Sequence, residues 1–298
     1  MKNTPQPLIT VVIPVYNRAG VVGRTLEAIS RQTAACFRVI LVDNNSTDGT
    51  ADVLRRWAEG RSADVTVLCC KRPGAAAARQ CGLDAVDTPW TLFFDSDDTM
   101  APEHIEQIVN TITSHPDAEM IGRDVRFHHP DGRCCIKPFA ASQYSSLFDG
   151  TTGTQRYCAR TDLFRRAGGW NPGIGVWDDI ELGARLLSLN PAVVKIKGEP
   201  TVDIYLGSDS ISNGETAGNI DVLDRALNAI GTTLGPQYDT WIALKRIIIA
   251  ANSRNEAGKA LYHKVISHSR RHRMLLRAAY IYTRAGGRGA AKLLRPFI

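Results

Sequence analysis

The chain has 298 residues, 44% hydrophobic and 22% charged, enough to bury a substantial core as one large domain or a domain with an appendage. No run approaches the roughly 18 apolar residues that a membrane span needs, which argues against that class. The net charge of +6 is uneven: residues 245–298 hold 13 Lys or Arg against one acid, Glu256, leaving −6 on the first 244. The two parts are therefore expected to face different partners.

Met1–Pro7 leads straight into a strand pattern, without the apolar region and cleavage site of a signal peptide. The seven cysteines include the adjacent pairs Cys69-Cys70 and Cys134-Cys135 and show no zinc-type CxxC spacing. An odd count without a secretion signal leads us to expect reduced thiols in a cytosol.

Leu8–Val15 is a near-continuous β-branched run, as expected of a central parallel strand. Pro14 cannot donate to a ladder, so the strand should stop there and release Tyr16-Asn17-Arg18 into a loop. A helix is predicted over about 20–32, with Val21, Val22, Leu26 and Ile29 on one face. Phe37–Val42 reads as a second strand ending on Asp43, and Asn44–Gly49 as turn and cap residues before a helix over 50–59. Val65–Cys69 is a third strand, Lys71–Gly74 a basic loop, and Ala75–Val86 a helix. This strand–loop–helix repeat predicts a parallel sheet with helices on both faces. No G-x-G-x-x-G turn follows the first strand, so a dinucleotide fingerprint of that type is not supported.

Trp90–Phe94 then reads as a strand buried on both faces, and the polarity changes abruptly at Asp95-Ser96-Asp97-Asp98. Three carboxylates within four positions need a partner at a buried strand end. Parallel sheets place ligands at such strand ends, and hard oxygen ligands suit Mg²⁺ or Mn²⁺ shared with a phosphate. A solvated acidic loop is the plain alternative.

Beyond a helix over 102–114 the pattern loosens. Short strands are predicted around 120–127 and 134–139, a Gly- and Ser-rich loop over 142–153, and a helix around 161–167. Gly168–Trp177 combines glycines, which permit unusual backbone angles, with Trp170 and Trp177, which provide flat apolar faces. Asp178 and Asp179 open a helix, where acids ordinarily serve the N-cap and the dipole. From about residue 220 onward the chain reads as helical. In Arg270–Tyr282 basic and apolar residues lie close together, a pattern suited to an anionic membrane surface, a nucleic acid backbone or simple solvation.

Taken together, Val11–Asn17, Val39–Thr50, Gly74–Gln80, Phe93–Asp98 and, more weakly, Gly169-Trp170 with Asp178–Leu186 resemble the family 2 glycosyltransferases. The motifs run in family order over about 9–212. The resemblance implies an α/β GT-A fold, Rossmann-like, with a mostly parallel central sheet, over residues 1–218, and a basic helical appendage over 219–298. It implies an inverting transfer of sugar from a nucleotide diphosphate donor, UDP-linked by expectation, to an acceptor hydroxyl in polysaccharide or other surface glycan synthesis.

The same resemblance implies the site. Pro14, Tyr16 and Asn17 would flank the nucleobase, Asp43 would accept from a base N–H, and Arg79 would hold the nucleotide region. Asp95 and Asp97 would form the DxD-type motif toward ribose and a divalent cation, Mn²⁺ or Mg²⁺, with Asp98 as an alternative ligand. Asp179 would be the general base, and Asp178 stands where Glu is more usual. Trp170, Trp177 and Asp178 would be the residues toward sugar and acceptor. No histidine occurs in Asp203–Ser212, the expected place of a further metal ligand, so Asp209 or water would substitute.

Two rival readings remain at this level. Asp95–Thr99 fits the D-x-D-x-T nucleophile of haloacid-dehalogenase phosphatases, but the later lysine and acid pair of that family are missing, and Pro14–Asn17 and Asp43–Thr50 go unexplained. A non-catalytic protein using its basic C-terminus on membrane or nucleic acid is the other. The expected partners are the nucleotide-sugar and a glycan or lipid-linked acceptor. Peripheral membrane association through the basic helices, at the cytoplasmic face, is also expected, with no nucleic acid.

Overall fold

Apolar β-branched runs with no polar face can satisfy their backbone only inside a sheet covered on both sides. They form β1 (Ile9–Val15), β2 (Arg38–Asp43) and β4 (Trp90–Phe93), with β3 (Val65–Cys69) as a more exposed edge strand, and these are separated by α1 (Val22–Ser30), α2 (Thr50–Glu59) and α3 (Ala75–Asp84). Next come β5 (Thr99–Met100), α4 (His104–Ser114), β6 (Met120–Arg123), β7 (Val125–His128) and β8 (Cys134–Lys137). They are followed by α5 (Gln143–Asp149), β9 (Tyr157–Arg160), α6 (Thr161–Arg166), α7 (Asp178–Ser188), β10 (Val193–Ile196) and β11 (Val202–Tyr205). This computed structural model describes residues 6–34, 36–59, 61, 64–207, 219–269 and 272–298.

The described residues form two compact units. The first takes in those up to Ala141 together with Thr151–Gly173 and Leu189–Gly207; the second takes in Ser142–Gly150, Ile174–Ser188 and those from Asn219 onward. The boundary expected at residue 218 lies outside the described residues.

In the first unit a seven-stranded sheet runs β10-β6-β9-β4-β1-β2-β3. All its pairings are parallel except those of β9, which lies antiparallel between β4 and β6. A mostly parallel sheet was expected; β9, β10 and β11 were not. Tyr157–Arg160 is too short to show a period, and it becomes a strand only because β4 and β6 offer it two edges. A second sheet, β5-β11-β7-β8, is built from the loosely patterned middle of the chain. The core gathers Ile9, Val11, Ile13, Leu41, Leu92 and Phe94, all at or below 1% exposure. Burial of each such side chain contributes about 1.5–3 kcal/mol. Helix α3 lies unusually close to the sheet. A Cβ on Gly82 would stand 2.3 Å from Cγ1 of Val12, and the buried Ala76, Ala77 and Ala78 keep the helix thin.

The loop expected over 142–153 is corrected by the structure, which has α5 there. Ser142 Oγ accepts from Ser145 N at 3.1 Å, Gly150 ends the helix in the left-handed conformation, and Tyr144 and Leu147 are buried. Glycine and serine content signalled a loop, but here those residues are the caps of a short amphipathic helix.

In the second unit α5 and α7 occur with helices Ile220–Leu234, Asp239–Ser253, Glu256–His268, Arg273–Arg284 and Ala290–Leu294. Leu147, Ile180, Ala184, Leu227, Ile230 and Ile242 form one apolar cluster, and Leu244, Ile247, Leu261, Val265 and Leu276 belong to another. Asp224 ties three helices together, accepting from Arg246 Nε at 2.6 Å and Lys264 Nζ at 2.7 Å. No described helix is long and apolar enough to cross a membrane.

Candidate nucleotide and cation site

Parallel pairing puts the C-terminal ends of β4, β1, β2 and β3 along one edge of the first unit's sheet, and the loops that leave them interlock. After β1, Asn17 takes a left-handed conformation (φ 49°); its amide donates to Ser46 Oγ at 3.0 Å, and its Oδ1 accepts from Thr47 N at 2.8 Å. Asn44, just past β2, is buried. Its Nδ2 donates to the carbonyls of Cys70 (3.0 Å) and Arg72 (2.7 Å), and its Oδ1 accepts from Gly74 N at 2.8 Å. Gly74 stands at φ 114°, which a side chain would strain, and it opens α3.

On this frame Pro14 is half-buried at the end of β1, while Tyr16 is 58% exposed and leaves a broad ring face open. Asp43 is buried at the end of β2, with Oδ1 facing Ser46 N at 3.4 Å. Helix α3 points Arg79 at the acidic loop: its Nη2 donates to Asp95 Oδ1 at 2.8 Å, and its guanidinium lies 4.8 Å from the Trp170 ring centroid. Trp170 is buried edge-to-face against Phe93 at 5.0 Å, so its ring is a wall behind Arg79 rather than an open stacking face. Gln80 Oε1 holds that wall by accepting from Trp170 N at 2.7 Å. Gly169, at φ 66°, has no room for a Cβ against the same oxygen, which would stand 2.2 Å away.

The three acids of the β4 loop are not equivalent. Asp95 accepts from Arg79 on Oδ1 and from Gln155 Nε2 at 2.9 Å on Oδ2. Asp98 is buried; Tyr205 N donates to its Oδ1 at 2.9 Å and Gln155 Nε2 to its Oδ2. Burial first, then the charges of Asp95 and Asp97, push the Asp98 carboxyl up to about 8. Asp97 keeps a third of its side chain exposed, with Arg18 Nε 3.8 Å from Oδ2. Burial and then the charge of Asp95 raise its carboxyl above the usual range, while Arg18 and Arg24 pull the other way. Thr25 Oγ1 donates to the Asp98 carbonyl at 2.7 Å, and Arg24 donates to the Asp97 carbonyl.

Among the described residues no group of three or more His, Cys, Asp or Glu is arranged as a closed metal cage. The donor set nevertheless fits a hard cation held on one side only. Asp97 and Asp95 each keep about a third of the side chain exposed, and phosphate and water oxygens would supply the remaining positions that Mg²⁺ or Mn²⁺ require. Asp98, only 3% exposed and bonded to Tyr205 N and Gln155, acts as the loop's internal anchor, whereas Asp95, although bonded on both oxygens too, keeps 31% of its side chain open. Asp209 lies outside the described residues. Gln155, Arg24 and Thr25 escaped the sequence reading, since no local pattern marks a glutamine that becomes a bridge only through β9 pairing.

In the second unit, Asp178 and Asp179 are half-buried in the first turn of α7, and Asp179 Oδ1 accepts from Ile180 N at 2.8 Å. Trp177, just before them, is left-handed (φ 56°), and Lys245 Nζ stands 5.0 Å from its ring centroid and 5.6 Å from that of Phe148. Burial brings the Lys245 ammonium down to about 8. Trp177 is thus partly occupied by a cation–π contact.

A mixed, mostly parallel α/β sheet of this topology, with helices around it and a helical C-terminal region, defines a protein of the GT-A fold. Residues 10–133 match the family model described as Glycosyl transferase family 2. Over 143 residues it is 30% identical to the glycosyltransferase AglE of Haloferax volcanii, an alignment covering 47% of this chain and 45% of AglE. The chain thus spans less than half the length of the first curated relatives it matches. Its fold is shared with S. aureus TarS 1–349 in complex with UDP-GlcNAc (TM-score 0.62, 15% identity, 97% of this chain and 91% of that one). It is shared also with the mannosyltransferase PcManGT of Pyrobaculum calidifontis in complex with GDP-Man and Mn²⁺ (TM-score 0.58, 18% identity, 98% and 87%).

Proposed function

We propose that this protein transfers a sugar, with inversion, from a nucleotide diphosphate donor to an acceptor hydroxyl in glycan synthesis. The observation that carries this reading is the Arg79–Asp95–Gln155–Asp98 network, which presents Asp97 at the same sheet edge as Tyr16 and Asp43. The neighbours in complex with UDP-GlcNAc and GDP-Man support the donor class; UDP is the nucleotide we assign. In this reading the Tyr16 ring lies against the base, Pro14 and Asn17 shape that wall, and Asp43 accepts a base N–H. Arg79 holds Asp95 oriented toward ribose and cation.

Asp97 and Asp95 would hold the cation, Mn²⁺ or Mg²⁺, which supplies charge neutralisation to the leaving diphosphate. Asp179 is assigned the general base: it takes the proton of the acceptor hydroxyl as that oxygen attacks the anomeric carbon in a single in-line displacement. Support for it is the family motif and the Ile180 amide, which fixes one oxygen of its carboxylate. Asp178 serves the same first turn of α7. A phosphatase nucleophile at Asp95 is disfavoured, since the later lysine and G-D-x-x-x-D acid pair of that chemistry are missing from the sequence.

For the second unit we assign peripheral docking on an anionic membrane, on the cytoplasmic side, near a lipid-linked or glycan acceptor. Helix Arg273–Arg284 buries Leu276, Ala279 and Thr283 and turns Met274 (84%) and Ile281 (68%) outward beside the exposed Arg277. Apolar tips among cations suit lipid better than a nucleic acid backbone.

A thermal-shift screen of UDP- and GDP-sugars, with and without Mn²⁺, tests the donor reading. Cation-dependent stabilisation by one nucleotide-sugar is expected, and no response to any nucleotide diphosphate would overturn it. Flotation with anionic vesicles tests the membrane reading separately: Met274→Glu with Ile281→Glu should abolish binding that neutral vesicles never support.

A further inference from the structure

The second sheet of the first unit holds a chemical group that sugar transfer does not use. β7 and β8 form a hairpin in which His128 faces Cys134, while β11 runs parallel on the other side of β7 with Tyr205 in register with His128. Cys134 Sγ lies 3.2 Å from His128 Nδ1, and His128 Nε2 lies 2.6 Å from Asp203 Oδ1. Arg126 Nη1 approaches the same Asp203 oxygen at 3.2 Å, and the Tyr205 ring stacks on the imidazole at 4.7 Å and 15°.

The geometry assigns the protons. Asp203 accepts from Nε2–H, which leaves the Nδ1 lone pair directed at the thiol. Stacking on Tyr205 and the Asp203 bond hold the ring in that orientation. Thiol, base and orienting carboxylate in sequence is the arrangement that activates a nucleophile. The thiol is also exposed and therefore reachable. A metal centre is the competing use of the same three residues, but both imidazole nitrogens are already taken by the other two, so the groups face one another rather than a common point.

We propose that Cys134 is an activated thiol, with His128 as its base, that exchanges with low-molecular-weight disulfides. The Cys134 thiol gives its proton to His128 Nδ1 as its sulfur attacks one sulfur of the disulfide. The new S–S bond forms as the old one breaks. The departing sulfur leaves with the electron pair and takes the proton back from His128 as a free thiol. One disulfide is consumed and one mixed disulfide is made, so no further oxidant is needed.

The test uses the full chain with oxidised glutathione and follows each cysteine by peptide mass. Cys69, also exposed, is the internal reference. Cys134 is expected to react at least tenfold faster than Cys69. His128→Gln should bring it down to the rate of Cys69 without changing Cys69, and Asp203→Asn should give an intermediate rate. An unchanged Cys69 rate and circular dichroism spectrum confirm that each variant is folded. Cys134 reacting no faster than Cys69, or at the wild-type rate in a folded His128→Gln variant, overturns the proposal.

Discussion

Arg79 and Asp95 form an ion pair at 2.8 Å in which the arginine side chain is only 9% exposed and the carboxylate 31%. The arginine is thus the buried member, fixed by the Trp170 ring behind it and by a helix that Gly82 allows close to β1. Asp95 receives a cation that it does not have to order for itself.

Removing that cation should be costly. Arg79→Ala leaves Asp95 with only its Gln155 bond, in a loop that already carries Asp97 and Asp98. The expected loss of stability is about 2 kcal/mol, read by urea denaturation. Nucleotide-sugar affinity should fall at least tenfold by calorimetry. Arg79→Lys should not rescue it, because a compact ammonium cannot keep the planar contact with Trp170.

Asp98 sets a stability slope with pH. Its carboxyl is raised in the fold to about 8 against an ordinary value of 3.8, so the folded state favours the neutral form. That contribution is fully present below about pH 4 and is lost as pH rises toward 8. Thermal melts without cation should fall over this window. Asp98→Asn should flatten the slope, and Mn²⁺ should stabilise wild type more at pH 8 than at pH 6.

His104 works in the opposite direction. It is buried, its Nδ1 lies 2.6 Å from Thr201 Oγ1, and burial first, then the Arg123 charge, lowers it to about 3. The neutral ring accepts from the Thr201 hydroxyl. A folded value below the unfolded 6.5 gives stability that is present above pH 6.5 and lost as pH falls through that window. Urea midpoints should drop between pH 7 and pH 5. His104→Leu should be weaker at pH 7 by about 1–2 kcal/mol, with Thr201 left unpaired, yet show a shallower decline in acid.

Asp179→Asn separates binding from chemistry. A lost general base costs about 10²–10⁴ in kcat, and donor affinity should stay within twofold of wild type. Steady-state kinetics with calorimetry on the same preparation reads both. Transfer at the normal rate would remove Asp179 from the mechanism.

Much of the first unit could be read before folding was considered. Ile9–Val15, Arg38–Asp43 and Trp90–Phe93 are apolar on both faces, and that pattern has few outcomes other than a central parallel strand. The strand-end places of Asp43, Asp95 and Asp97 were likewise legible, whereas Arg79 was singled out only through the family resemblance. α5 was not, because its signal rests on Tyr144, Leu147 and Phe148, hidden in a stretch whose Ser142 and Gly150 serve as caps.

The sequence by itself determined the strand–helix alternation, the acidic strand end and the charge asymmetry, all local properties of pattern and composition. Only the tertiary structure decided what each acid does. Pairing of β9 between β4 and β6 brings Gln155 between Asp95 and Asp98, and β11 aims the Tyr205 amide at Asp98. Three neighbouring aspartates, chemically alike in sequence, thereby become a carboxylate bonded tightly to Arg79 and Gln155, a half-buried one with a long contact to Arg18, and a buried anchor. The reason is physical: burial and hydrogen-bond partners set a carboxylate's charge and availability, and both come from residues distant in the chain.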